Sequence, residues 1–276
     1  MSNKYQDEFG SVQATHRMWL FFDKHVQLLR QAHGVLMHES VDRWGVLIPL
    51  SYSIQDSCGS ISLLAQQSKM RDCFVLARTV FETIINFCFI CTKGDEAARR
   101  ARRHAMQKAY RDLRRELKIN QQELSLHWGG KIDLSSNPDL QAALTEFTNR
   151  KGREITSWTP ETVKEQLEAI EAKYGENVAT PLQFALLAIY RHASEIAHGT
   201  LFGALFALDL TSPSGRPTSP EVLANHQRQN ITMLLLVLGF SISSMLQVIA
   251  HELPLDSLVS ESKTAIKDFE NEQWLR

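Results

Sequence analysis

Tyr190-Arg191-His192-Ala193-Ser194-Glu195-Ile196-Ala197-His198-Gly199 lies inside an otherwise apolar run, Pro181 to about Leu208. On one side runs Phe184-Ala185-Leu186-Leu187-Ala188-Ile189, on the other Leu201-Phe202-Gly203-Ala204-Leu205-Phe206. Read as one helix, positions i, i+3, i+4 and i+7 share a face. Arg191, Ser194, Glu195 and His198 hold those positions. An arginine, a hydroxyl, a carboxylate and an imidazole would then line two turns of one stripe. Buried polar groups must be hydrogen-bonded or open into a cavity, because a lone one is costly.

A second apolar helix is expected over 70–93, with Gly94 as its stop. It is apolar on most sides, yet it carries Arg78 and Glu82 at i, i+4, and Asn86 one turn on. Such a helix is buried on most faces, so Arg78 and Glu82 are expected to be buried and paired. A third island, Gln55-Asp56-Ser57, interrupts the helix expected from Val46 to Gln67. Buried charges need partners, so the three islands are expected to meet.

The remaining helices follow from pattern and punctuation. Residues 8–40 read as one long helix or two, with His16, His25, His33 and His38 on its surface. Asn137-Pro138, Thr159-Pro160, Thr180-Pro181 and Ser219-Pro220 each place an N-cap residue before a proline at the first helical position. Gly175 ends the helix that runs to Tyr174. The tracts 128–138 and 209–219 read as loops. Residues 221–251 form a long helix without a charged residue from Gln229 to Ala250. A buried central helix is preferred there over a membrane span, because Ser241, Ser243, Ser244 and Gln247 recur on it and no basic loop flanks it. A last amphipathic helix covers about 255–269. With no β-alternation of useful length, the expected fold is all-α. It is a single multi-helix bundle with two buried central helices, 70–93 and 181–208, packed together, one domain over 1–276 (N-terminal helices 1–67, motif-bearing core 70–208, C-terminal helices 221–270).

The helix expected from Ala97 to about Leu117 is strongly basic. Arg99, Arg100, Arg102, Arg103, Lys108, Arg111, Arg114 and Arg115 crowd one side, and Ala98, Ala101, Ala105, Ala109 and Leu113 line the other. Arg99, Arg103, Lys108 and Arg111 are the candidates for a phosphate-binding face. The other reading is a solvated face balanced by Asp112 and Glu116.

Lysines and arginines number 30 against 31 acids, so no global field argues for nucleic acid or membrane, and such a partner needs a local patch. The four cysteines, Cys58, Cys73, Cys88 and Cys91, sit in apolar segments, and the start is polar and acidic. Free buried thiols in a reducing cytoplasm follow, with no membrane segment. No metal site or cofactor is expected: the acids and histidines near the stripe lack H-x-x-x-H or E-x-x-H spacing, and no Gly-rich phosphate loop is present.

Arg191, six residues, then His198 resembles the R-x(4–6)-H motif of the HEPN superfamily, helical domains that include metal-independent ribonucleases. His192 fits the polar residue that often follows the arginine there. Separately, Arg78-x-x-x-Glu82 with Tyr190-x-x-x-Ser194-x-x-x-His198-Gly199 looks like a bacterial all-helical family of unknown function, over roughly Arg71 to Leu208. The resemblance implies Arg191 and His198 as catalytic residues. Arg78, Glu82, Tyr190, His192, Ser194 and Glu195 would support them. RNA would be the partner, a homodimer the assembly, and bacterial antiviral defence or a toxin–antitoxin pair the setting. The alternative is a non-enzymatic helical module that binds a partner protein or nucleotide, its Arg/Glu/His network purely structural.

Overall fold

The computed structural model describes residues 10–39, 43–128, 134–211 and 219–271. The acidic start, the Pro- and Gly-containing part of the 209–219 loop, and residues 129–133 of the other loop lie outside the described residues. The chain forms two compact units, one from residues 1–92 and 163–276, the other from 93–162.

The larger unit is all helix. Helix α1 spans Val12–Leu36, α2 Trp44–Gln66, α3 Met70–Lys93, α6 Val163–Tyr174, α7 Glu176–Ala185, α8 Arg191–Ala197, α9 Leu201–Ala207, α10 Pro220–Glu252 and α11 Asp256–Asn271. Ser11 starts α1 by accepting the Ala14 amide at 3.0 Å, and Ser219 starts α10 by accepting that of Val222 at 3.3 Å. Helix α10 packs along α1 and α7. Gly239 makes the approach to α1 possible, since a Cβ there would stand 2.5 Å from a Phe21 ring carbon. Phe21 in turn meets Phe240 and Phe269 at ring centroid distances of 5.1 and 4.8 Å.

Among the described residues two helices, α3 and α10, are long and apolar enough to cross a membrane, and 61% and 72% of their apolar windows are buried inside the protein. The expected central pair was 70–93 and 181–208; α3 is the first of them, and α10 stands as the second buried helix in place of the other. The run 181–208 is not one helix. It breaks into α7, a π turn at Leu186–Tyr190, α8, a turn at 198–200, and α9. Thr180-Pro181 therefore starts nothing: α7 begins after Gly175, and Pro181 lies inside it. Thr159-Pro160 likewise precedes a turn, with α6 beginning only at Val163.

His25 corrects the reading of α1. It is fully buried, with Nδ1 2.8 Å from the Phe21 carbonyl and Nε2 3.1 Å from the Ser262 hydroxyl of α11. Val12 and Leu20, by contrast, are exposed. The third helix of a bundle decides which face of α1 is covered, and α11 covers the His25 side.

The smaller unit holds α4 (Asp95–Asp112), a hairpin of β1 (Arg114–Ile119) and β2 (Gln122–His127), and α5 (Pro138–Glu146). The strands pair antiparallel, Leu117 opposite Leu124 and Ile119 opposite Gln122. Helix α4 was expected to reach Leu117, but at Arg114 the pattern turns to period two. Arg115, Leu117 and Ile119 then share a face with Leu124 and Leu126. Asn120, with φ +56, supplies the left-handed residue of the turn. Asn137 caps α5 through the Leu140 amide at 3.1 Å.

Candidate functional site

Helix α3 places Arg78 and Glu82 on one face, one turn apart. The Arg78 Nε donates to Glu82 Oε1 at 3.0 Å, and its Nη1 donates to the Ser194 hydroxyl on α8 at 3.2 Å. The Tyr190 ring lies under the same guanidinium, 5.0 Å from its carbon, and Phe81 meets Tyr190 edge-on at 6.3 Å. Four residues of the expected site, Arg78, Glu82, Tyr190 and Ser194, are thus one cluster. Neither charge is fully buried: the side chains are 21% and 38% exposed, so this is a half-sheltered pair at a helix–helix seam.

The other four diverge by their place on α8: Arg191 and Glu195 sit about 100° further round than Tyr190 and Ser194, and His198 lies where the helix ends. The π turn before α8 adds one residue to a helical turn, which rotates the whole of α8 together by about 100° relative to an unbroken helix. Tyr190 and Ser194 then face α3. Arg191 is exposed, its guanidinium 6.0 Å from the Phe202 ring. His198 is exposed at the C-cap of α8. Gly199, at φ +65, ends that helix in the left-handed conformation. Thr200 then caps α9 by accepting the Gly203 amide at 3.1 Å, and its hydroxyl donates to Glu195 Oε2 at 2.7 Å. Gly203 lets α9 fold back: a Cβ there would meet the Glu195 carbonyl oxygen at 2.6 Å. Glu195 therefore holds the turn.

His192 faces inward, stacked on Phe206 at 4.3 Å and 25°. Burial pulls its imidazole below the usual value, partly offset by a bond to the Ala188 backbone. Phe206 also meets His226, whose Nε2 lies 2.9 Å from the Phe206 carbonyl and whose Nδ1 lies 3.2 Å from Asp209 Oδ1. This His192–Phe206–His226–Asp209 layer lies against the stripe and was not expected. Its signal was the polar opening of α10 at Asn225, His226 and Arg228, just after the motif helices.

The Gln55/Asp56 island does not join. Gln55 bonds back to Ser51 of its own helix, and Asp56 is exposed. A local acceptor meets the Gln55 amide and solvent reaches the Asp56 carboxylate, so neither needs a distant partner. A more deeply sheltered ion cluster forms elsewhere. Glu252 at the end of α10, 9% exposed, meets Arg43 at 2.9 Å, Lys173 at 2.8 Å and the Tyr174 hydroxyl at 2.8 Å. Among the described residues, no three of His, Cys, Asp and Glu gather as a metal site.

The basic helix α4 turns its charges toward its own unit. Arg103 Nε donates to Glu146 at 2.6 Å, Lys108 bonds Glu154 at 3.2 Å, and Arg111 bonds Gln107 and Thr148. Arg99 is exposed, paired with Glu96 at 2.9 Å. The alanine side was expected to be the packing face, yet Ala105 and Ala109 are exposed. Gln107 and the arginine stems cover α5 and the 153–158 segment instead, which long amphipathic side chains do well.

A family model matches residues 45–214, which carry α2 through α9 and every residue of the cluster. The chain belongs to a family of unknown function (DUF5677). No curated protein and no solved structure matches it. The family segment contains the Arg78–Ser194 contact, the π turn and the His198-Gly199 break, and it leaves out α1, α10 and α11.

Proposed function

We propose that this chain is a HEPN-like, metal-independent endoribonuclease that works as a homodimer. The carrying observation is the outer side of the motif helices. Arg191 and His198 are both exposed, at i, i+7 on α8, and large apolar side chains flank them. Phe184 is 48% exposed, Leu187 76%, Leu201 75% and Phe202 38%. A polar pair rimmed by uncovered apolar residues suits a surface that a second copy closes.

In the closed dimer two Arg191 and two His198 face one phosphate. One His198 takes the proton from an RNA 2′-hydroxyl, whose oxygen attacks the phosphorus. The 5′-oxygen leaves with a proton from His198 of the second copy. Arg191 neutralises charge that develops on the phosphoryl oxygens. The products are a 2′,3′-cyclic phosphate and a 5′-hydroxyl. Arg78, Glu82, Tyr190 and Ser194 set the angle of α8, and Glu195 and His192 hold its two ends. Arg99, one of the exposed bases of the basic helix, would meet RNA backbone. By family analogy the setting is bacterial defence or a toxin–antitoxin pair, in the cytoplasm.

The test is incubation of the purified chain with mixed RNA in excess EDTA, followed by analysis of the product ends. Cleavage to cyclic phosphate ends is expected, lost in Arg191→Ala and in His198→Ala. Activity retained by His198→Ala places the chemistry elsewhere, and activity abolished by EDTA indicates a metal enzyme. A folded protein that cleaves no RNA is the non-enzymatic interaction module instead.

A further inference from the structure

A second site lies away from the motif helices. A cavity of about 530 Å³ opens between α1, the end of α2 and α10. That volume falls within the usual range for small-molecule sites. Trp19, Ala65, Ile231 and Leu235 form its apolar walls, and His16 and Arg228 bring polar groups to it. The walls are fixed. The Trp19 indole N–H donates to the Ser62 hydroxyl at 2.6 Å, so its ring cannot swing into the space. Arg228 Nε donates to the Gly10 carbonyl at 3.0 Å, which sets the plane of the guanidinium. The His16 ring lies nearly parallel to Trp19, at 13° and 6.1 Å.

We propose that this cavity binds a small organic anion with a flat apolar body. The body lies against the Trp19 ring, Ile231 and Leu235, and a carboxylate or sulfonate takes the Nη groups of Arg228. Three points carry this. Apolar walls with one convergent cation match an amphipathic anion and mismatch a sugar or a free phosphate. Arginine presents paired donors that fit a carboxylate, and the bond to Gly10 means little ordering remains on binding. A ring wall held flat by a side-chain hydrogen bond favours a flat partner. The site does not depend on the ribonuclease reading: it lies on α1, α2 and α10, apart from Arg191 and His198.

The test uses two probes that differ only in the charged group, 8-anilinonaphthalene-1-sulfonate and the neutral N-phenyl-1-naphthylamine. Both report an apolar site by fluorescence. The full chain is expected to bind one sulfonate probe per chain at least tenfold more tightly than the neutral one. Arg228→Gln should reduce sulfonate affinity to the neutral level and leave the neutral probe unchanged. Ala65→Phe, which narrows the cavity from a different helix, should weaken both. Because Arg228 also holds Gly10, the melting temperature of each variant is measured alongside. If Arg228→Gln fails to fold, the comparison of probes on the native chain together with Ala65→Phe decides. Equal affinity of the two probes, or sulfonate binding indifferent to both substitutions, overturns the proposal.

Discussion

Arg78 and Ser194 are 116 residues apart in sequence, and the guanidinium of one donates to the hydroxyl of the other at 3.2 Å. That bond ties α3 to α8, and the ring of Tyr190 supports it from below. A double-mutant cycle of Arg78→Ala and Ser194→Ala in urea should return a coupling of about 0.5–1.5 kcal/mol, the range for an ordinary hydrogen bond, because solvent reaches this half-sheltered seam and weakens the charged one. A coupling near zero would mean that the contact contributes only geometry. Glu82→Gln should cost less than about 1 kcal/mol, because its carboxylate is over a third exposed and solvent screens the pair.

The exposed apolar rim around Arg191 and His198 makes a prediction about assembly. If the proposed dimer closes over this rim, Leu187→Glu with Leu201→Glu should shift the chain toward monomer in sedimentation and lower the proposed RNA cleavage, with no loss of melting temperature. Both side chains are three-quarters exposed, so the fold does not need them. A double variant that stays dimeric places the interface elsewhere.

Glu252 should matter more to stability than Glu82. Its carboxylate is held between Arg43, Lys173 and the Tyr174 hydroxyl, and those cation partners pull it below the usual carboxylate range against the opposing effect of burial. Glu252→Gln leaves two cations facing one another at a sheltered site. The expected loss is about 2–4 kcal/mol in chemical denaturation, toward the lower end for a broken buried pair because Lys173 is a third exposed.

Stability should fall on mild acidification, through His25. Burial lowers its folded-state value, opposed by the bond to the Phe21 carbonyl, with Lys24 adding to the lowering. The unfolded imidazole protonates near 6.5. Below that pH the unfolded chain binds the proton and the folded one resists it, so stability rises with pH there. The contribution is present above the unfolded value and is lost as pH falls through the folded one. Melting temperatures at pH 7.5 and 5.5 check this. His25→Gln should lower both but reduce their difference, and a difference unchanged in the variant would assign the slope to other groups.

The thiols should be silent in the native protein. Burial raises Cys58, Cys73 and Cys91 to about 12 and Cys88 well above its ordinary value. At pH 8 the reactive thiolate is then a minute fraction. A disulfide reagent should label almost none of the four cysteines until guanidinium is added, and then all four.

Much of the helix layout was legible locally. The Met70–Lys93 bounds, the Asn137 and Ser219 caps and the Arg78–Glu82 pair follow from spacing and end chemistry, which depend only on neighbours within a turn or two. Composition also marked α3 and α10 as apolar helices to be buried, although the partner expected beside α3 at the centre was the run 181–208. What the period misread was the run 181–208. A helical wheel assumes 3.6 residues throughout, and one π turn at Leu186–Tyr190 rotates the whole later stripe against the run before it, while the break at His198-Gly199 ends the helix that the wheel continued. The hairpin was missed because six residues of alternation after a strong helix look like its last turns.

Burial was decided only in three dimensions. His25 and His16 are alike as residues on one helix, yet α11 covers the first and solvent the second. The arginines of α4 read as a free basic face, and Glu146 and Glu154, 43 and 46 residues from the bases they bond, turned them inward. Sequence by itself determined which residues carry charge and which helices are apolar, because those are properties of short segments. Tertiary structure decided which charges meet, because a salt bridge or a buried imidazole depends on what a distant segment brings to it.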